Sequence, residues 1–178
     1  MLVLTIITVI TLTITITYSY LSTSTTQTTP NTLNTPCFGV TFTDSNRINI
    51  TSYPMSSSSA FSKLTPYKFT VKNTCATVTN YKLIINVSNT TSSTILPYIN
   101  YSLDCSTVKK LSSATKITLP AGASGTNIMN SYQIATGTLN GINASKSYNI
   151  HMWIDESAGN DIMGNKFEAQ IMVYNLAE

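Results

Sequence analysis

Residues 67–73 read YKFTVKN, with Tyr67, Phe69 and Val71 on one face and Lys68, Thr70 and Lys72 on the other. Period-two alternation of this kind marks a strand with one buried and one wet face. Outward from it the pattern returns in Tyr148, Ile150, Met152 and Ile154, and again in Phe167, Ala169, Ile171 and Val173. Further apolar runs separated by turn residues predict strands at 38–43, 47–51, 80–87, 97–103, 115–119 and 131–138, beside those at 67–73, 147–154 and 166–174. No long helix is evident within them. The reading is an all-β fold, an antiparallel β-sandwich of jelly-roll or Ig-like type over residues 37–178, whose inward sets form the core between two sheets. Phe69, Ile84, Ile150 and Ile171 are expected in that core.

Composition agrees with the strand pattern. The chain has 178 residues with 42% hydrophobic but only 10% charged side chains, so uncharged polar groups must cover the surface. They are 22 Ser, 30 Thr and 17 Asn, about two-fifths of the sequence. Thr suits pleated strands while Ser and Asn suit turns. A net charge of +3 is too mild to call for a nucleic-acid partner. Charge is nonetheless uneven, with nine basic against two acidic residues up to Ile154 and one against five after it.

The first charged side chain is Asp44, and the first 21 residues, MLVLTIITVITLTITITYSYL, are dense in Leu, Ile and Val. At 1.5 Å per residue they reach roughly 31 Å, the thickness of a hydrocarbon core. Residues 1–21 are therefore expected to be a hydrophobic helix, either a transmembrane anchor or a signal segment that is cleaved. Two features count against the membrane: six Thr interrupt the run and no Lys or Arg precedes it. From Ile10 onward the alternation ITLTITITYSY also fits a strand. Residues 22–36, rich in Ser, Thr and Pro, read as an extended spacer. Five Asn-x-Ser/Thr sequons, at Asn49, Asn86, Asn89, Asn100 and Asn143, are about as many as this composition supplies by chance.

One His in the whole chain leaves a Ser-His-Asp triad or a His-rich zinc site without members. No cofactor is called for, and the chain reads as non-enzymatic. Asp155, Glu156, Asn160 and Asp161 share one loop, so Asp155, Glu156 and Asp161 are weak Ca²⁺ candidates against the plainer reading of a polar turn. His151 and Trp153 share the outward face of their strand, a candidate binding face for a sugar or protein unless the Trp is a packing anchor. Cys37, Cys75 and Cys105 have no CxxC spacing. If consecutive strands run antiparallel, the strands ending before Cys75 and Cys105 point the same way, with 80–87 returning between them. That order allows a Cys75–Cys105 disulfide or leaves both thiols unpaired. Cys37 then falls at the opposite end as a spare thiol.

Four short motifs carry a resemblance: Tyr18-Ser19-Tyr20-Leu21 after the apolar segment, Lys72-Asn73-Thr74-Cys75, Trp153-Ile154-Asp155-Glu156, and Gly164-Asn165-Lys166-Phe167. Together they resemble the TasA/camelysin-like Gram-positive surface proteins, an N-terminal hydrophobic segment followed by one β-sandwich. Ser19 and Leu21 replace the more usual Ala and Phe, Cys75 stands where Gly is common, and the basic N-terminus is missing. The resemblance implies a cell-surface or secreted structural protein, in some members a self-associating fibre or biofilm-matrix subunit. The expected partners are a membrane through residues 1–21 and further copies of the chain. The alternative is a monomeric tethered module on the extracellular side that binds a glycan or a surface protein.

Overall fold

A computed structural model of the chain describes residues 32–35, 38–43, 47–51, 53–119, 127–159, 162 and 164–175. The expected N-terminal hydrophobic helix at 1–21 lies outside them, and among the described residues no helix is long and apolar enough to cross a membrane. Among the described residues eleven strands make two antiparallel sheets. They are β1 (Thr32–Thr35), β2 (Phe38–Phe42), β3 (Arg47–Ile50), β4 (Tyr67–Asn73), β5 (Thr79–Ser88), β6 (Ile99–Leu103), β7 (Lys109–Lys110), β8 (Thr115–Ile117), β9 (Ile128–Leu139), β10 (Ser145–Ile154) and β11 (Phe167–Asn175). One sheet has the order β1-β2-β4-β10-β6-β7, the other β3-β11-β5-β9-β8. All nine expected strands are present. Two more were not foreseen: β7, and β1, which the Ser/Thr/Pro stretch contributes to the sheet by pairing Thr32 with Thr41 and Thr35 with Phe38.

The alternating sets meet between the sheets. Phe69, Val71, Tyr148, Ile150, Met152 and Ile154 from one side pack with Leu83, Ile85, Val87, Phe167, Ile171 and Val173 from the other. Ile84 is fully buried too, but it stands outside this cluster, its neighbours Leu83 and Ile85 being the core-facing residues of β5. Tyr81 and Tyr148 tie the two sheets through their hydroxyls at 2.6 Å. Burial raises both phenols above the usual tyrosine range. Opposite Tyr81 stands Gly137, and a Cβ there would overlap the Tyr81 ring and hydroxyl. Strand glycines often serve such a close approach.

Asn73 closes one end of the sandwich. Fully buried, it donates from Nδ2 to the Thr77 carbonyl at 2.7 Å and the Leu139 carbonyl at 3.3 Å, and Oδ1 accepts from Cys75 N at 2.9 Å and Thr79 Oγ1 at 3.1 Å. All four hydrogen-bonding positions of the amide are used, which is what its burial requires.

Residues 57–63, between the strands expected at 47–51 and 67–73, form a short helix, α1 (Ser57–Lys63). Ser56 is its N-cap, the Oγ accepting from Ser59 N at 3.4 Å, and Lys63 sits in the last turn where a cation is favourable. The helix lays Ala60 and Phe61 over the outer face of β10.

Candidate functional site

Three features of the surface bear on function: a strip beneath α1, a recess on the opposite sheet, and the sheet edges. The strip comes from two strands in register, with Ser102 opposite His151 and Asn100 opposite Trp153. These four side chains point away from the core, as the alternation predicts. They are not exposed. His151 is 5% accessible, Asn100 3%, and Ser102 and Trp153 are fully buried. Phe61 of α1 covers the two rings edge-on, its centroid 5.3 Å from His151 and 5.5 Å from Trp153. The expected binding face at His151 and Trp153 is thus corrected: the strand face is outward, but a helix roofs it.

Polar burial in the strip is incompletely matched. Asn100 Nδ2 donates to Asp155 Oδ2, whereas Asn100 Oδ1 and Trp153 Nε1 have no hydrogen-bond partner. Asp155 Oδ1 accepts from Ser157 N at 2.9 Å and also from Ser157 Oγ. Those bonds, joined by the one from Asn100, hold its carboxyl below the usual range. Asp155 therefore caps the short 3-10 turn Glu156–Ala158, the polar-turn reading of the loop. Glu156 is exposed, Asn160 and Asp161 lie outside the described residues, and among the described residues no three His, Cys, Asp or Glu converge as a metal would need.

Beside the strip, β6 ends in a turn from Leu103 to Ser106 whose two middle residues, Asp104 and Cys105, have φ of 52° and 53°. Ser106 N closes it on the Leu103 carbonyl at 3.0 Å, the type I′ geometry. Asp104 is locked to β10 in both directions: its N–H reaches the Asn149 carbonyl at 2.7 Å, and its Oδ1 accepts from Asn149 N at 2.8 Å. Cys105 is thereby placed with Sγ 3.9 Å from His151 Nδ1.

The expected Cys75–Cys105 bridge is not formed. Cys105 is an exposed thiol and Cys75 is disulfide-bonded. Strands β4 and β6 do run the same way, both antiparallel to β10, but β10 rather than 80–87 lies between them, and they are displaced along it. Asn73 bonds Ala144 while Asp104 bonds Asn149. Five residues at about 3.3 Å each separate the two turns by about 17 Å, beyond the roughly 7 Å between Cα atoms that a disulfide spans. The remaining cysteine, Cys37, is outside the described residues. Phe38, which follows it, stands opposite Asn73, so the chain enters β2 at the Cys75 end and not at the opposite end.

On the outer face of the five-stranded sheet a recess of about 430 Å³ is lined by Arg47, Asn49, Asn86, Ser88, Glu168 and Gln170 among others. Asn86 is fully buried there; its Nδ2 lies 3.7 Å from Met172 Sδ and its Oδ1 has no partner. Two of the five sequons, at Asn86 and Asn100, are thus too buried to accept a glycan.

Among the described residues the outermost strands are β1 and β7 in one sheet and β3 and β8 in the other. Three of the four carry cations: Arg47 on β3, Lys109 and Lys110 on β7, Lys116 on β8. β1, with the sequence TLNT, carries none. Comparison of the chain with family models, with curated proteins and with solved structures finds no match.

Proposed function

We propose that this is a non-enzymatic structural protein of a cell surface or extracellular matrix, secreted or held to a membrane by residues 1–21, whose sandwich associates with copies of itself. In strand order, late strands β10 and β11 insert between early ones, which supports a jelly-roll or Ig-like arrangement. The observation that carries the association is the contrast between edges. Lys and Arg on an edge strand disfavour pairing with another chain, and three positive edges also repel one another. Among the described edge strands β1 alone carries no charged residue. Two of the large exposed apolar side chains, Val78 at 59% and Ile142 at 62%, flank the Asn73 end where β1 turns into β2. The likeness to the TasA/camelysin-like proteins supports the same reading.

Sedimentation of the full-length chain in mild detergent at rising protein concentration tests it. Self-association is expected, and Leu33→Lys, which adds a charge to β1, should return the protein to monomer while Lys116→Ala does not. A full-length protein that stays monomeric at every concentration overturns the proposal.

The second reading, a monomeric glycan-binding module, is favoured by the recess, where the accessible amides of Asn49 and Gln170 can match sugar hydroxyls. Calorimetric titration with soluble oligosaccharides distinguishes it: binding that Gln170→Ala abolishes in a monomeric protein would replace the first reading.

A further inference from the structure

We propose that Cys105 and His151 form a thiol-exchange site, at which the protein takes up a small disulfide-bearing molecule as a mixed disulfide. The pair joins an exposed nucleophile to a fixed base. Cys105 is free and accessible, carried on a turn that two reciprocal bonds between Asp104 and Asn149 clamp to β10. His151 is 5% exposed, and its ring is held on one side by the edge of Phe61 and on another by a bond to the Leu64 carbonyl. The contact at 3.9 Å then turns Nδ1 toward Sγ.

Burial disfavours the imidazolium and lowers the His151 pKa. At neutral pH the ring is therefore an uncharged acceptor. With its single proton kept on the nitrogen facing Leu64, Nδ1 takes the thiol proton as Sγ attacks one sulfur of the incoming disulfide. The new Sγ–S bond forms, the old S–S bond breaks, and the departing thiolate receives the proton back from His151. One disulfide and one thiol enter and one disulfide and one thiol leave, so no further oxidant is needed. The charged groups around the pair are Asp104 in the same turn, Lys63 at the end of α1, Lys68 opposite Asn149, and Lys109 and Lys110 on β7. A turn position with positive φ is ordinarily given to Gly, Asn or Asp, so a Cys there is not explained by backbone preference.

The experiment follows the reaction of the full-length chain with 5,5′-dithiobis(2-nitrobenzoate) from pH 5 to 10, folded and in urea, with peptide mapping of the adduct. At pH 7 the folded protein should react about a hundredfold faster than the unfolded chain, the low end of general-base assistance. Its rate should rise less steeply with pH than that of the unfolded chain, because His151, kept neutral by burial, accepts the thiol proton. His151→Gln, which keeps a donor toward Leu64, should restore the tenfold rise per pH unit of an ordinary thiol. If that variant does not fold, the wild-type pH profile decides alone. A folded protein with the rate and simple thiol titration of the unfolded chain, or an adduct mapped away from Cys105, overturns the proposal.

Discussion

The two halves of β10 share one alternation and meet two environments. Over Ser145–Asn149 only Tyr148 is buried, and the intervening side chains face water beside β4. Over Ile150–Ile154 every residue is buried, because β6 replaces β4 as the main partner and α1 closes the outer face. Alternation thus assigns a side chain to a face of the sheet, and only the rest of the fold decides whether that face is wet. In the covered half the outward residues are His and Trp rather than Ser and Asn. An aromatic residue on a nominally wet face is the local sign of a cover.

The sharpest way to break this comparison is to place a carboxylate in each half. Ile150→Asp should abolish cooperative unfolding, since burying an unpaired charge costs several kcal/mol against a total stability of about 5–15. Lys146→Asp, on the wet half, should melt within a few degrees of the parent by circular dichroism. Equal losses would mean that the halves do not differ. Trp153→Ala comes next, with a loss of about 3–5 kcal/mol in urea unfolding, typical of an emptied aromatic site. Phe61→Ala should cost less, because Phe61 is itself partly exposed, yet it should shift the emission of Trp153 to longer wavelength by opening the roof. Emission already at the wavelength of a hydrated indole in the parent would show that α1 does not cover the strand.

Nine strands were legible because each holds an apolar set at period two, and YKFTVKN and YNIHMWI needed no partner to be read. The four-residue β1 was not legible: TLNT has one apolar residue and sits in a Ser/Thr/Pro stretch. The two lysines of β7 give no period at all. Helix α1 was hidden by its serines, although Ser56 as a cap before Ala60, Phe61 and Leu64 is a start signal followed by a short apolar stripe. The disulfide reading failed for a different reason. Direction along a strand can be inferred from sequence order, but axial displacement depends on which strand intervenes, and that is set by long-range pairing of β10. The proximity of Cys105 to His151 rests on the same pairing, through the turn that docks on Asn149.

Asn100→Ala sharpens the comparison more gently. It removes the donor that ties β6 to Asp155 in the covered half, and because Asp155 is part-exposed, water replaces much of the bond. A loss of about 1 kcal/mol is expected from equilibrium urea unfolding. The smallest effect is with pH. His151 is held neutral in the folded state, its pKa lowered by burial, so the contribution is fully present above the unfolded value near 6.5. Stability should decline as pH falls below that value and on through the lowered folded pKa. His151→Gln should remove this dependence, and a parent whose stability does not change between pH 7 and 5 would show that the ring is not buried.

The strand order also sets how the molecule bears a load. Pulled by its ends, the chain is gripped on one side at β1, the outermost described strand of its sheet, and on the other at β11, held along both edges by β3 and β5 in the opposite sheet. Tension therefore passes from one sheet to the other through the apolar interior rather than along a single ladder. Peeling β1 opens four residue pairs in sequence, whereas extracting β11 requires two ladders to shear together. Of the two strands β1 should therefore yield first, a mechanical fuse that opens while the ladders of β11 stay closed.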